Sequence, residues 1–309
     1  VGVISTLDDD SRAEVLTLLD RVFRHSQPFF GPRFPLLFSP ENAGHVYVYR
    51  QAAHLPPVAT ISVYVSDLVT PQGRWKAAAL GAVATSPEHR GRGYASALLA
   101  HCEGQLRQEG VDLVYVSGEG RLYREWGANP LGRLREVVLD RSTAVSVPPL
   151  APTLLQECRH VGPAEAALIH RLYALRPSRF ERTVEETLAY LQGNLFSPPG
   201  EENTLWLVGE AQNAHGYLVA RTANEGTTRL LRVVEHGGVT AVLPSLVAEL
   251  FQRRAIDKVL YYLSPDEFSV PGHAGIEVPL TGTIKILNPS LIPLLPRLQL
   301  PAINELHFV

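Results

Sequence analysis

Along this chain the apolar positions switch repeatedly between the two-residue period of strands and the 3.6-residue period of helices. Residues 1–6 read as a short strand. Ser11 then stands as an N-cap ahead of Ala13, Val15, Leu16, Leu18, Leu19, Val22 and Phe23, which place apolar groups on much of a helix. Four prolines between positions 28 and 40 forbid a long regular helix there. Strands are predicted over 45–51, 58–66 and 75–85, the last nearly all apolar, as a strand buried on both faces should be. Pro87 ends that strand because it has no N–H for the ladder. Residues 92–109 read as a helix with Ala95, Leu98, Leu99, Cys102 and Leu106 on one face, stopped by Gly110. A strand over 111–117 and a short helix over 121–126, closed by Gly127, complete the first half.

Proline and small residues from 146 to 153 read as a linker. Helical patterns then fill 163–175 and 183–192. Strands follow over 204–210, 216–221 and 228–234, then a helix over 241–254 and a strand over 258–263. Three strands, a helix and a strand thus recur in both halves, a duplication of pattern and not of residue identity. The expected division is 1–145, a linker over 146–162, a second unit over 163–271, and a segment over 272–309 that packs on the others. That last segment holds the run Gly282-Thr-Ile-Lys-Ile and a short apolar helix over 289–298. The fold class expected is α/β, an α+β mixed sheet in two tandem units.

Composition narrows the picture only a little. With 309 residues, 45% hydrophobic and 19% charged, the chain has the material for two globular cores. A net charge of −3 makes nucleic acid a poor candidate partner. No run of about 18 apolar residues suggests a membrane span. Residues 1–10 lack the basic and apolar regions of a secretory signal, so a cytoplasmic location is expected. Two cysteines, Cys102 and Cys158, give no disulfide framework and read as small buried hydrophobes. Methionine is absent, the initiator included, as expected either of a trimmed start or of modified residues missing from the sequence.

Candidate chemistry concentrates in Ala82-Val-Ala-Thr-Ser-Pro-Glu-His-Arg90-Gly91-Arg92-Gly93-Tyr94-Ala95-Ser96. A buried strand leads through a glycine turn into a helix N-terminus, where unpaired N–H groups and the helix dipole together favour an anion. Two glycines let that anion approach the main chain without obstruction by a Cβ. These are the parts of a pyrophosphate cradle. A dinucleotide loop would need G-x-G-x-x-G with an acidic residue about 20 positions on, and a P-loop would need a Gly-Lys pair, which this sequence lacks.

The residues Arg90-x-x-Gly93-x-Ala95 match [Q/R]-x-x-G-x-[G/A], and in this respect the chain resembles the GCN5-related N-acetyltransferase (GNAT) superfamily. Arg121-Leu-Tyr123-Arg-Glu-Trp-Gly127 is similar to that family's LYxxxGF segment, with Ala128 in place of the aromatic. Over residues 75–130 the chain further resembles the enhanced intracellular survival (Eis-like) subgroup, which joins a catalytic acetyltransferase domain to a degenerate second one. The resemblance implies acetyl-CoA as co-substrate and no metal. Backbone groups of Val83, Ala84 and Thr85 would bind the pantetheine arm. The amides across Arg90, Gly91, Arg92, Gly93, Tyr94, Ala95 and Ser96 would hold the pyrophosphate, and Tyr123 would face the thioester sulfur as general acid. It implies acetylation of a primary amine on a small molecule, and a homo-oligomer. In the second half the matching loop, 234–240, is shortened and has no arginine, so that unit is expected to be non-catalytic.

Transfer to an amine also needs a base, because an alkylamine with a pKa near 10.4 is only about 0.04% neutral at pH 7. The strand over 77–84 carries no carboxylate, unlike family members with a glutamate there. Glu88, His89, His25, His45 and Asp67 are the candidates, together with the terminal carboxylate of Val309, the group that serves in relatives. A tandem acetyltransferase of the mycothiol synthase kind and a non-catalytic acetyl-CoA-binding sensor are the alternative readings.

Overall fold

A computed structural model of the chain describes residues 2–25, 28–130, 132–144, 155–158, 160–195, 202–209, 213–238, 243–253, 255–263, 275–279, 282–298, 300 and 301. The first half supplies strands β1 (Val3–Thr6), β2 (Val46–Arg50), β3 (Ala59–Thr70), β4 (Gly73–Thr85) and β5 (Leu113–Val116). Between them lie helices α1 (Asp9–Val22), α2 (Phe30–Arg33), α3 (Tyr94–Gln108) and α4 (Arg121–Glu125). Then come β6 (Arg133–Asp140), α5 (Arg141–Ala144), β7 (Leu155–Cys158), α6 (Pro163–Tyr173), β8 (Arg179–Phe180) and α7 (Val184–Leu195). The chain continues through β9 (Glu202–Val208), β10 (Gly216–Glu225), β11 (Thr228–Gly238), α8 (Leu243–Arg253), β12 (Lys258–Leu263), β13 (Ile276–Pro279) and β14 (Thr283–Ile286). A 3-10 segment, Pro289–Arg297, follows where the short apolar helix is expected.

The architecture is mixed α/β with two sheets. One runs β1-β2-β3-β4-β5-β14, with β8 added beside β3; the other runs β13-β6-β12-β11-β10-β9-β7. Each has an antiparallel three-strand meander followed by one parallel pair, β4 with β5 and β11 with β12. A helix, α3 or α8, makes each crossover. Both meanders carry a register irregularity at the equivalent place, between Thr60 and Ser62 in β3 and between Val219 and Ala220 in β10. The repetition inferred from the pattern is therefore present in the topology.

The halves also exchange strands. β6 continues the chain from α4 yet pairs antiparallel with β12 in the second sheet. β14 arrives after the second sheet is complete and pairs antiparallel with β5 in the first. A division at residue 145 follows the chain but leaves β6 in the first unit, whereas its hydrogen bonds lie in the second sheet. Short β7 likewise lies inside the stretch expected as a linker and pairs with β9. Residues 145–154 lie outside the described residues.

Burial explains the layers. Leu98, Leu99, Cys102 and Leu106 of α3 pack on Ala78 and Leu80 of β4 and Val114 and Val116 of β5. On the opposite face, Val15 and Leu19 of α1 cover Val46, Val48 and Ala84. The N-cap of α1 is Asp8 and not Ser11: Ser11 N–H donates to Asp8 Oδ1 at 2.7 Å, while Asp8 N–H donates to Ser11 Oγ at 3.1 Å. Ser11 sits in the first turn and closes a reciprocal capping box. The two halves are joined by β8 against β3, by the Tyr64 hydroxyl donating to Glu186, and by Arg33 Nη1 donating to the Gly193 carbonyl at 3.1 Å.

Candidate active site

The site begins where two parallel strands part. β4 pairs with β5 only over Ala77–Leu80, opposite Leu113–Val116. β5 then ends, while β4 continues to Thr85. Val83, Ala84 and Thr85 therefore lie on a strand whose β5-side edge has no strand beside it among the described residues. Where β4 overruns, the ladder with β3 slips, and Ala82 takes φ = +48°. A non-glycine residue in that region costs on the order of 1–2 kcal/mol. The kink re-aims the main chain at the mouth of the gap.

Beyond β4 the chain makes a 3-10 turn at Pro87–His89 and enters α3 through Gly91 (φ +74°) and Gly93 (φ +79°). A Cβ placed on either glycine would meet nothing within 4 Å. These glycines are required by backbone conformation, then, and they leave the approach to the main chain open. Gly93 caps α3 without any side-chain hydrogen bond. Ala97 N–H is the first amide of α3 with an intrahelical acceptor, the Gly93 carbonyl at 2.9 Å. Among the described residues, no acceptor faces the six successive N–H groups from Gly91 to Ser96, at the positive end of a 15-residue helix. Arg90 and Arg92 are exposed beside them; Arg90 Nε reaches the Thr85 carbonyl at 3.4 Å. Tyr94 stacks on Tyr49 at 4.3 Å between ring centroids, and its hydroxyl accepts from Gln51 Nε2 at 3.1 Å.

Tyr123 comes from the opposite lip of the gap, on α4. Its ring packs on the same core as Val83, Tyr94, Leu122 and Trp126. Burial raises its pKa above the ordinary value of about 10, so the phenol stays protonated at neutral pH. Two features fix the ring. A Cβ on Gly118 would stand 2.3 Å from Tyr123 Cε2 and 3.0 Å from Cδ2, so the ring occupies the space a side chain would need. α4 also ends in a Schellman motif: Gly127 N–H donates to the Arg124 carbonyl, and Ala128 N–H to the Tyr123 carbonyl, both at 2.9 Å. Gly127 at φ = +91° is what that motif demands, which gives the glycine of the LYxxxG pattern a physical reason.

The expected base candidates are scattered. His45 Nε2 lies 3.0 Å from Glu109, beyond the C-terminal end of α3, while the open amides are at its N-terminal end. Asp67 pairs with Arg74 at 3.1 Å near the β3–β4 hairpin, the far end of β4 from Val83. His25 stacks on Phe29, with centroids 3.9 Å apart. Glu88 accepts from the Ser86 hydroxyl, which holds its carboxyl below the usual range, and His89 Nδ1 turns to the same hydroxyl at 3.4 Å. Both line a 590 Å³ groove beneath α1, with Pro56 and Pro57 on its other wall, and not the β4–β5 gap. Val309 lies outside the described residues. Gly118 and Lys285, by contrast, stand at the site without having been singled out from the sequence.

In the second half, the described glycines of the matching stretch, Gly237 and Gly238, form no comparable cradle, and residues 239 and 240 lie outside the described residues. A Cβ on Gly237 would meet Tyr217 Cε1 at 2.6 Å, and one on Gly238 would meet the His215 carbonyl oxygen at 2.3 Å. Both sit inside the β10–β11 ladder, where close strand approach requires them. Nearby, Arg182 and Glu235 form a fully buried two-pronged pair at 2.9 and 3.1 Å. The Tyr217 hydroxyl donates to the same carboxylate at 2.6 Å, and the Arg182 guanidinium lies 3.6 Å over the Tyr173 ring.

Set against known proteins, residues 3–131 match the acetyltransferase (GNAT) domain family. No curated protein matches the chain. Solved structures do, through their fold. A GCN5-related N-acetyltransferase from Anabaena variabilis is 16% identical with a TM-score of 0.70, covering 93% of this chain and 73% of its own. A probable N-acyltransferase from Enterococcus faecalis is 15% identical with a TM-score of 0.69, at the same coverage. Eis1 from Mycobacterium abscessus is 15% identical with a TM-score of 0.64, again covering 93% and 73%.

Proposed function

Taking as premise that the N-terminal half is a domain of the GNAT acetyltransferase family, we propose that the protein moves an acetyl group from acetyl-CoA to a primary amine of a small molecule. The observation that carries this reading is the run of open amides from Gly91 to Ser96, set at the end of a strand that outruns its parallel neighbour. Pantetheine, with alternating amide donors and acceptors, would lie along Val83, Ala84 and Thr85 as an extra strand in the gap. The pyrophosphate would meet the α3 amides, with the Arg90 and Arg92 charges beside it.

Chemistry follows from that placement. The neutral amine attacks the thioester carbon, and the oxygen gains charge within reach of strand amides near Val83. As the C–S bond breaks, sulfur becomes a thiolate with a pKa of about 8.5. Tyr123, raised above 10 by burial, is too weak an acid for easy full transfer. Its hydroxyl instead donates a hydrogen bond that strengthens as sulfur gains charge, an effect of about 10²–10⁴-fold. With no expected side-chain base gathered at the gap, water carries the amine proton away. The second domain is non-catalytic in this reading, and the close packing of Gly237 and Gly238 supports that.

Thiol release from acetyl-CoA, measured with panels of polyamines, aminoglycosides and amino-sugar thiols, tests the proposal. Turnover should appear with at least one class, and Tyr123→Phe should slow it with acetyl-CoA affinity little changed. Tight cofactor binding with no turnover across the panels would instead favour a sensor.

A further inference from the structure

Tyr123 sits on a five-residue helix, too short to hold its own position, so something outside the helix must fix it. That support comes from β14, a strand more than 150 residues further along the chain. At the start of the tyrosine segment, Thr283 Oγ1 donates to the Gly118 carbonyl at 3.0 Å, and Gly282 N–H donates to Glu119 Oε1 at 3.1 Å. At its end, Asn129 and Ile284 exchange backbone hydrogen bonds of 3.0 and 2.8 Å. Between these, Lys285 makes three contacts at once. Its ammonium donates to the Trp126 carbonyl, pairs with Glu103 Oε2 at 2.7 Å, and lies 4.4 Å from the centroid of the Trp126 ring.

We infer that Lys285 is a positioning residue for Tyr123, and that through it β14 locks the acid to the cofactor-binding helix. The inference rests on the acetyltransferase reading above. Trp126 caps the C-terminal end of α4, where the helix dipole favours a cation. Glu103 belongs to α3, the helix whose N-terminus presents the open amides. One ammonium thus joins the two lips of the β4–β5 gap. Arg107 holds the other oxygen of Glu103 at 2.9 Å, leaving Oε2 to the lysine. A methionine at 285 would keep most of the apolar stem but lose all three contacts. Arginine would keep the charge with a different reach.

The experiment combines kinetics with labelling on the full-length protein. Lys285→Met and, as a change on a helix surface that leaves β14 intact, Glu103→Gln are compared with the unaltered protein, Tyr123→Phe and the double variant Lys285→Met/Tyr123→Phe. Thiol release is measured with acetyl-CoA and the amine that gives the fastest rate, and nitration of Tyr123 by tetranitromethane is followed by peptide mass. Lys285→Met should lower kcat about tenfold, change KM for acetyl-CoA less than twofold, and speed Tyr123 nitration severalfold. Glu103→Gln should do the same to a lesser degree, and Lys285→Arg should restore part of kcat. In the Tyr123→Phe background, Lys285→Met should cost no further rate. A slow Tyr123→Phe enzyme beside Lys285→Met and Glu103→Gln enzymes with unchanged rate and nitration would overturn the positioning role alone. So would an undiminished Lys285→Met effect in the Tyr123→Phe background. A Tyr123→Phe enzyme as fast as the unaltered protein, or no turnover with any amine, would overturn the acid assignment and this role with it.

Discussion

Gly118→Ala places one methyl group against the proposed acid and changes little else. Gly118 does not occupy the left-handed region, so alanine meets no backbone penalty there. The cost falls on the tyrosine ring. The new Cβ would lie 2.3 Å from Cε2, 3.0 Å from Cδ2 and 3.3 Å from Cζ, against an ordinary carbon–carbon separation of about 3.5–4.0 Å. The ring must therefore withdraw by roughly 1.2–1.7 Å. Misplacing a catalytic group by about 1 Å can cost on the order of 10²-fold in rate. The half-buried ring has room to yield, so stability should fall by no more than about 1–2 kcal/mol, within the usual range for overpacking. Steady-state thiol release should show kcat reduced between about 10- and 100-fold, with KM for acetyl-CoA nearly unchanged. Adding Tyr123→Ala removes the clash, so Gly118→Ala should then have no effect on stability. A single Gly118→Ala variant with kcat within twofold of the original would refute the argument that the ring's position matters.

Further expectations concern the cradle, the buried ion pair and the tyrosines. Gly93→Val keeps open space around the side chain but forces a β-branched residue to φ = +79°, at a cost of about 1–2 kcal/mol; calorimetry should show acetyl-CoA binding weakened at least tenfold while the thermal midpoint moves little. Glu235→Ala strands a fully buried guanidinium and should destabilise the protein by about 3–5 kcal/mol in denaturant titrations, whereas Arg182→Met/Glu235→Leu together should cost far less. Burial raises the pKa values of Tyr190, Tyr217 and Tyr261 above the unfolded value near 10. The neutral forms are the ones the fold holds, so their contribution is complete below pH 10 and is lost as pH rises beyond it. Each should add a slope of about 1.4 kcal/mol per pH unit, and a flat stability profile between pH 9 and 11 would contradict this.

The parts of the site that were legible in the sequence are those built from adjacent residues. Strand, turn, glycines and helix run continuously from Ala82 to Ser96, and each has a local physical signature. The same holds for α4, where Gly127 closes a single turn around Tyr123. What escaped depends on distant chain. The buried face of β6 is Leu134, Val137 and Leu139, whose uneven spacing breaks the strand period. Nothing near β6 reveals that it joins β12 in the second sheet. Lys285 stood inside a noted motif, but its partners Trp126 and Glu103 lie 159 and 182 positions away in sequence. Gly118 looks like any turn glycine until the Tyr123 ring is in place. The base candidates, chosen by residue type and proximity along the chain, scattered because strand direction carried His45 and Asp67 to the far ends of their elements.

The central claim is that the amides opening α3 receive the diphosphate of acetyl-CoA. Titrating acetyl-CoA into ¹⁵N-labelled protein while following the backbone amide resonances of residues 91–96 tests it most directly. Saturable downfield shifts at Gly91, Gly93 and their neighbours, with smaller changes at Val83 and Ala84, are the predicted result. Resonances at 91–96 that stay in place while acetyl-CoA binds elsewhere, or does not bind, would contradict it.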